Sequence, residues 1–313
     1  MEPIVKWAGG KRKLAPKIVE LLKIGECTDR YVEPFLGGAA VFLHLVDEFP
    51  TNLFPMQYLL NDALKPLIDA YYAIVVDTES VISELSAIRT SYELPLEEFI
   101  DAEMQAEYRN ELYYQVRRCF NSGGVNHDCH MPGTVAMRAH LAADFIFLNK
   151  SCFNGLWRIS RKTGEMNVPH GKPKKLSLPS ADQLREFAQL VPRQSLRCTD
   201  ATGLLADCGD GDAIYADPPY DTSDDNVAEP AGSFTTYAGS FNWEDQVKLA
   251  DALRGAAHRG ARVVASNRAT DRVIKLYDDR GFTVEHVGVR HSVGAKGDRR
   301  GIVGEILAHR GPG

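Results

Sequence analysis

Apolar and polar positions alternate in two different rhythms along this chain. Up to about Pro66, short apolar runs alternate with helix-period stretches. Leu14–Leu22 predicts a helix. Tyr31–Leu43 reads as strand, glycine turn and helix, turning at Gly37-Gly38. Met56–Asn61 predicts a second strand ending at Asp62, with a helix over Ala63–Val76. From Pro66 to Lys175 the strand pattern disappears. Leu67–Val76, Val81–Ile88, Ala102–Phe120 and Ala136–Asn149 carry the mixed three- and four-residue apolar spacing of helices. After Leu176 the first rhythm returns. Helices are expected over Ala181–Leu190 and Glu244–Arg254, and strands over Ser195–Asp200, Ala213–Ala216 and Ala261–Ser266. Phe282–Val289 and Gly304–His309 flank the polar stretch Gly294–Gly301, which leaves no room for a crossover helix. They predict an antiparallel hairpin on an otherwise parallel sheet. The expected class is α/β, with 1–65 and 176–313 forming the sheet domain and 66–175 a mainly helical insertion.

Composition changes little in this picture. The 313 residues are 44% hydrophobic and 25% charged, enough for one large domain or two smaller ones. The opening Met-Glu-Pro-Ile-Val-Lys has no apolar core of a secretory signal, and no apolar run approaches a membrane span. Six scattered cysteines without C-x-x-C fit reduced thiols, so a cytoplasmic protein is expected. The net charge of −6 argues weakly against a nucleic-acid partner, but recognition depends on local fields.

One local field has the opposite sign. Between Phe153 and Lys175, Arg158, Arg161, Lys162, Lys172, Lys174 and Lys175 face the single acid Glu165. Lys162-Thr163-Gly164-Glu165 reads as a turn between extended arms. A basic hairpin with an aromatic base can contact phosphates and enter a groove; a solvated loop is the commoner fate of such runs. Cys119 to His130 carries two Cys and two His, but their crowded spacing matches no usual zinc pattern, and a polar loop without metal is expected.

Asp217-Pro218-Pro219-Tyr220 follows the apolar strand Ala213–Ala216. Neither proline can donate a ladder hydrogen bond, so the strand stops there. A carboxylate, a rigid turn and an aromatic ring are then presented at the strand's carboxyl end, where open α/β sheets bind ligands. Asp221–Gly239 reads as an active-site loop. Gly37-Gly38 suits close approach to a nucleoside, although G-x-G-x-x-G is absent. Asp62, ending the second strand, stands where ribose hydroxyls are gripped, or caps the next helix. Lys6-Trp7-Ala8-Gly9-Gly10-Lys11 reads as a ligand-facing loop or a mobile basic terminus.

Taken together, Lys6–Lys11, Val32-Glu33-Pro34-Phe35-Leu36-Gly37-Gly38 and Asp217–Tyr220 resemble the Dam-type (D12 class) DNA adenine-N6 methyltransferases. Phe153–Arg158, Glu165–Pro169, Tyr113–Arg117 and Arg290–Leu307 are similar too, so the resemblance covers nearly the whole chain in order. It implies a Rossmann-like, S-adenosylmethionine-dependent sheet whose helical insertion recognises the target through a β-hairpin. The implied reaction is methyl transfer to N6 of an adenine flipped out of double-stranded DNA. Asp217, Pro218, Pro219 and Tyr220 are the implied catalytic residues. Trp7, Lys11, Glu33, Pro34, Phe35, Gly37, Gly38, Asp62, Asp200 and Asp217 are the implied cofactor contacts, and Arg158, Arg161, Lys162, Lys172, Lys174 and Lys175 the DNA contacts. A monomer is expected, and a cognate restriction endonuclease is a partner the family admits. Where the family has Arg-Tyr after the hairpin's final glycine, this chain has Lys172-Pro173, so the usual GATC target is not carried over. The competing readings are a methyltransferase acting on RNA or a protein amide, an inactive DNA-binding module of the same fold, and a generic nucleotide-binding enzyme.

Overall fold

Strand-forming residues alternate with helices at both ends of the chain, and a run of helices fills its middle. The computed structural model describes residues 1–25, 28–50, 56–123, 135–160, 162–220, 241–289 and 303–312. In chain order the elements are α1 (Ala15–Leu22), β1 (Arg30–Glu33), α2 (Ala40–Glu48), β2 (Gln57–Asn61), α3 (Lys65–Val76), α4 (Thr78–Tyr92) and α5 (Ala102–Gly123). Then come α6 (Val135–Ser151), α7 (Ala181–Leu190), β3 (Leu196–Arg197), α8 (Ala201–Leu205), β4 (Asp212–Ala216) and α9 (Trp243–His258). The last are β5 (Arg262–Arg268), α10 (Asp271–Asp278), β6 (Thr283–Val289) and β7 (Val303–Arg310). The chain packs as two compact units. The first is Met1–Gly10, Gly37–Leu43 and Leu64–Cys198; the second is Lys11–Leu36, His44–Ala63 and Thr199–Gly313.

In the second unit the strand order is β2-β1-β4-β5-β7-β6. The first three pairings are parallel, and β7 runs antiparallel to both β5 and β6. The predicted closing hairpin is therefore present, with β7 set between β5 and β6. All five residues of β4 are buried, as a strand covered on both faces requires. Val32, Ile214, Val263 and Ala265 of the strands pack with Leu249 and Leu253 of α9 and with Val273 and Tyr277 of α10. The strand order reverses between β1 and β4, and the carboxyl ends at such a switch point are where open α/β sheets bind ligands.

Two short helices escaped the sequence reading. Thr270 caps α10, its hydroxyl accepting from Val273 N, and Asp200 caps α8 by accepting from Gly203 N at 2.8 Å. The expected strand Ser195–Asp200 shrinks to β3, because a 3₁₀ turn occupies Arg193–Ser195 and the cap takes Asp200.

The first unit is mainly helical. A capping box between Ser180 and Gln183 starts α7, and Asp77 caps α4. The basic stretch folds back on itself with antiparallel bonds: Ser160 N donates to Glu165 O at 2.8 Å, and Asn167 N to Arg158 O at 3.1 Å. At its base Phe153 N donates to Pro169 O. Trp157 is fully buried against Phe120 and Phe145. Asn121 of α5 holds both backbone groups of Met166, and Tyr113 and Arg117 donate to Val168 O. No helix among the described residues is long and apolar enough to cross a membrane. Arg161, the loop Asp221–Gly239, the stretch Gly294–Gly301 and the crowded His127, Cys129 and His130 lie outside the described residues.

Candidate active site

The strand β4 delivers Asp217 into a polar cluster of the second unit. Oδ1 accepts from the Ser266 hydroxyl at 2.6 Å, and Ser266 is in turn 2.9 Å from the Tyr215 hydroxyl. The Lys11 ammonium stands 3.0 Å from Oδ2. Lys11 also lies 3.7 Å from Glu305 Oε1, and the same oxygen accepts from the Tyr220 hydroxyl at 3.0 Å. The Lys11 Nζ is 5.0 Å from the centre of the Tyr220 ring. Burial pushes the Asp217 carboxyl above the usual carboxylate range, while the Lys11 charge and the Ser266 bond pull the other way. The Lys11 ammonium thus stands between two carboxylates, Asp217 and Glu305. The Asp217 side chain keeps 22% of its exposure, so a ligand can reach it.

The proline turn is itself braced. Gln246 of α9, fully buried, donates to Pro219 O at 2.7 Å, and Asn267 Nδ2 donates to Gln246 Oε1 at 3.0 Å. The prolines carry no N–H, so only their carbonyls remain as hydrogen-bonding groups. With the Pro219 carbonyl engaged, the turn that follows Asp217 is held to α9.

The adjacent strand ends supply more carboxylates. Glu33, closing β1, is buried and accepts from the Tyr31 hydroxyl at 2.8 Å. Asp62 follows β2 and is buried. Between them Asn61 ties three loops together: its Nδ2 donates to Pro34 O at 2.9 Å and Thr199 O at 3.1 Å, and its Oδ1 accepts from Thr199 N at 3.0 Å. Leu36 N donates to Asn61 O. Phe35 meets Phe241 edge to face, with ring centres 5.8 Å apart. Asp200 is committed to the α8 cap and to the Thr202 hydroxyl, so its carboxylate has a structural use besides any cofactor role. Lys11, Glu33, Pro34, Phe35, Asp62, Asp200 and Asp217–Tyr220 thus all belong to the second unit. An open cavity of about 510 Å³ lined by Asp29, Arg30, Asp207, Asp212 and Arg259 lies at the opposite, amino-terminal strand ends and contains none of these residues.

Trp7, Gly37 and Gly38 belong to the first unit. Gly37 has φ +49°, and a Cβ there would stand 2.5 Å from the Trp7 indole nitrogen. The glycine is required by the packing of Trp7 as well as by the turn. Tyr71 fastens the same turn by donating to Gly37 O at 2.9 Å. The basic candidates Arg158, Lys162, Lys172, Lys174 and Lys175 also lie in this unit. Lys162, Lys172, Lys174 and Lys175 are exposed, and Arg158 holds Asn167 Oδ1 at 2.7 Å. Lys172 takes the left-handed conformation, φ 49°, directly after Gly171, whose Cβ would meet the Cys152 carbonyl at 2.5 Å.

The sequence reading missed Ser266, Gln246, Asn267 and Glu305. Their signal was weak but present: polar residues interrupt apolar strand or helix faces where burial demands a partner.

The matching family model, D12 class N6 adenine-specific DNA methyltransferase, spans residues 7–293. The chain is 33% identical over 307 residues to the Type II methyltransferase M.MjaIII of Methanocaldococcus jannaschii, covering 96% of this chain and 95% of that protein. It is 32% identical to the DNA adenine methylase of Escherichia coli K12, over 99% of this chain and 95% of the relative. It is 34% identical to the DNA N-6-adenine-methyltransferase of Escherichia phage P1, covering 97% of this chain and 35% of that longer protein. With the family model spanning nearly the whole sequence, this chain belongs to the D12 class of N6 adenine-specific DNA methyltransferases.

Proposed function

We propose that the enzyme methylates N6 of an adenine turned out of double-stranded DNA, using S-adenosylmethionine as donor and Asp217 as the amine-orienting acid. The observation that carries this reading is the braced Asp217: a carboxylate fixed by Ser266 and Lys11 beside a proline turn at the sheet's switch point. The exocyclic amine of adenine lies inside the base stack and its lone pair is delocalised into the ring. Asp217 and the Pro218 carbonyl accept its two N–H groups, which localises the lone pair and aims it. No strong base is needed, because the amine protons become acidic as the new bond forms. Orientation and stabilisation of the developing ammonium therefore supply much of the rate. Tyr220 offers a ring face for the extruded base, a contact worth about 1–3 kcal/mol.

The residues at hand fit the cofactor. It supplies an electrophilic methyl group on a sulfonium when bound. The carboxylates of Glu33 and Asp62 at neighbouring strand ends suit its cationic and ribose-hydroxyl groups, with Phe35 as an apolar wall. Trp7, Gly37, Gly38 and Asp200 are further contacts in this reading. For DNA, Lys162, Lys174 and Lys175 serve as phosphate contacts, and Lys172 as the residue that reads a base edge in place of the family's Arg. The Type II name of the Methanocaldococcus relative makes a cognate restriction endonuclease a partner of the same reading.

Asp217→Asn tests the centre of this proposal. The substitution keeps size and removes charge. Methyl transfer to unmethylated DNA should fall by at least a hundredfold while DNA affinity changes little; retained activity would sink the mechanism.

A further inference from the structure

The helical unit holds a second cluster of ligand-type side chains that methyl transfer does not use. Cys119 lies near the end of α5, His140 and Asp144 lie one turn apart on α6, and Glu84 lies on α4. His140 Nδ1 is 2.9 Å from Glu84 Oε2, and the other ring nitrogen, Nε2, faces away from Glu84. It points at two groups: Cys119 Sγ at 3.7 Å and Asp144 Oδ2 at 3.6 Å. The three ligand atoms all lie within 4.8 Å of one another.

At 3.6 Å the His140–Asp144 approach is too long for a hydrogen bond. It is close to the edge of a ligand tetrahedron, because sulfur, nitrogen and oxygen donors at ordinary zinc bond lengths stand roughly 3.3–3.6 Å apart. Asp144 adds an independent observation. Its side chain is only 2% exposed, and its Oδ2 accepts no hydrogen bond among the described residues. A buried carboxylate oxygen without a partner is costly. The Glu84–His140 bond is also the outer-shell arrangement that fixes the tautomer and orientation of a metal-binding imidazole. The four-residue spacing sets His140 and Asp144 on one helix face. His140 is 44% exposed and Cys119 is exposed, so an ion can enter and water can complete the coordination.

We propose that Cys119, His140 and Asp144 bind one divalent cation of the zinc class, bracing α5 against α6. Mixed sulfur, nitrogen and oxygen donors select zinc or cobalt over magnesium or calcium. Binding displaces the thiol proton to solvent as the metal–sulfur bond forms. Only Cys119 belongs to the crowded Cys119–His130 stretch; its partners sit on the following helix, which is why spacing alone pointed away from a metal. The ion would stiffen α5, the helix whose Tyr113, Arg117 and Asn121 hold the basic hairpin.

The test uses the full chain, stripped with a chelator and titrated with Co²⁺. One equivalent should give the thiolate-to-cobalt charge-transfer band, Zn²⁺ should bleach it, and Zn²⁺ should raise the melting temperature. Cys119→Ser should lose the band and Cys198→Ser should keep it. Glu84→Gln, which leaves all three ligands in place, should weaken affinity about 10- to 100-fold. Absence of the band in the wild-type chain, or its persistence in Cys119→Ser, overturns the proposal.

Discussion

Asp217 is surrounded by groups that act on its proton in opposite directions. Burial favours the neutral acid, while the Lys11 ammonium and the Ser266 hydroxyl favour the carboxylate. The net displacement is upward from the usual carboxylate range. An amine clamp needs the ionised form, so activity should be lost on acidification at a higher pH than an ordinary aspartate would set. Ser266→Ala removes a stabiliser of the charge and should move that acid limb further up. A hydrogen bond to a charged group is worth about 1.5–3 kcal/mol, which corresponds to roughly 1–2 pH units. Profiles of kcat/KM against pH for the two proteins check this. An unchanged limb with lower kcat would mean that Ser266 only positions the strand end. Asp217 and Tyr220 were legible in the sequence because two prolines after an apolar run mark a strand end. Ser266 and Glu305 were not, since a single polar residue in a strand does not say which distant carboxylate or hydroxyl it will meet.

At the scale of elements, the basic hairpin is built by anchoring its apolar side and leaving its charges outward. Trp157 and Met166 are buried, Asn121 pins the turning strand, and Lys162, Lys172, Lys174 and Lys175 stay exposed. Lys172 is held in a left-handed conformation that a lysine adopts at a cost, one residue after a glycine packed on the Cys152 carbonyl. Strain of this kind persists where the surroundings impose it. Lys172→Ala should therefore relax discrimination among adenine contexts while leaving folding intact, as read by mapping N6-methyladenine on genomic DNA. If binding weakens equally on all sequences and the salt slope falls by about 1, Lys172 is a phosphate contact instead. The hairpin turn Lys162–Glu165 and the helices around it were legible from spacing. The helices α8 and α10 were not, because each is short and defined mainly by its cap.

Across the whole molecule, charge is divided by region. A chain of net charge −6 concentrates positive groups on one hairpin, so the average gave no sign of the DNA partner that the family establishes. The helical unit also carries a pH sensitivity of its own. His170 is buried, stacks on Tyr113 with ring centres 4.8 Å apart, and meets the Tyr92 hydroxyl at 3.1 Å. Burial and then the Lys172 charge push its pKa down to about 4. The unfolded chain takes up this proton near pH 6.5 and the folded chain does not. Stability from this site is therefore present above pH 6.5 and lost as pH falls toward 4. Thermal melts over that range should show the loss, and His170→Gln should flatten it; parallel curves for the two proteins would contradict the assignment.

Sequence by itself determined the α/β class, the antiparallel close of the sheet, the family and the strand end at Asp217. These follow from local periodicity, from proline chemistry and from motifs that are contiguous in the chain. Tertiary structure alone decided which groups tune Asp217, that Gly37 makes room for Trp7, that Asp200 caps a helix, and that Cys119 meets His140 and Asp144. Such pairings join residues from separate elements, and sequence spacing carries no distance between elements until their apolar faces have packed.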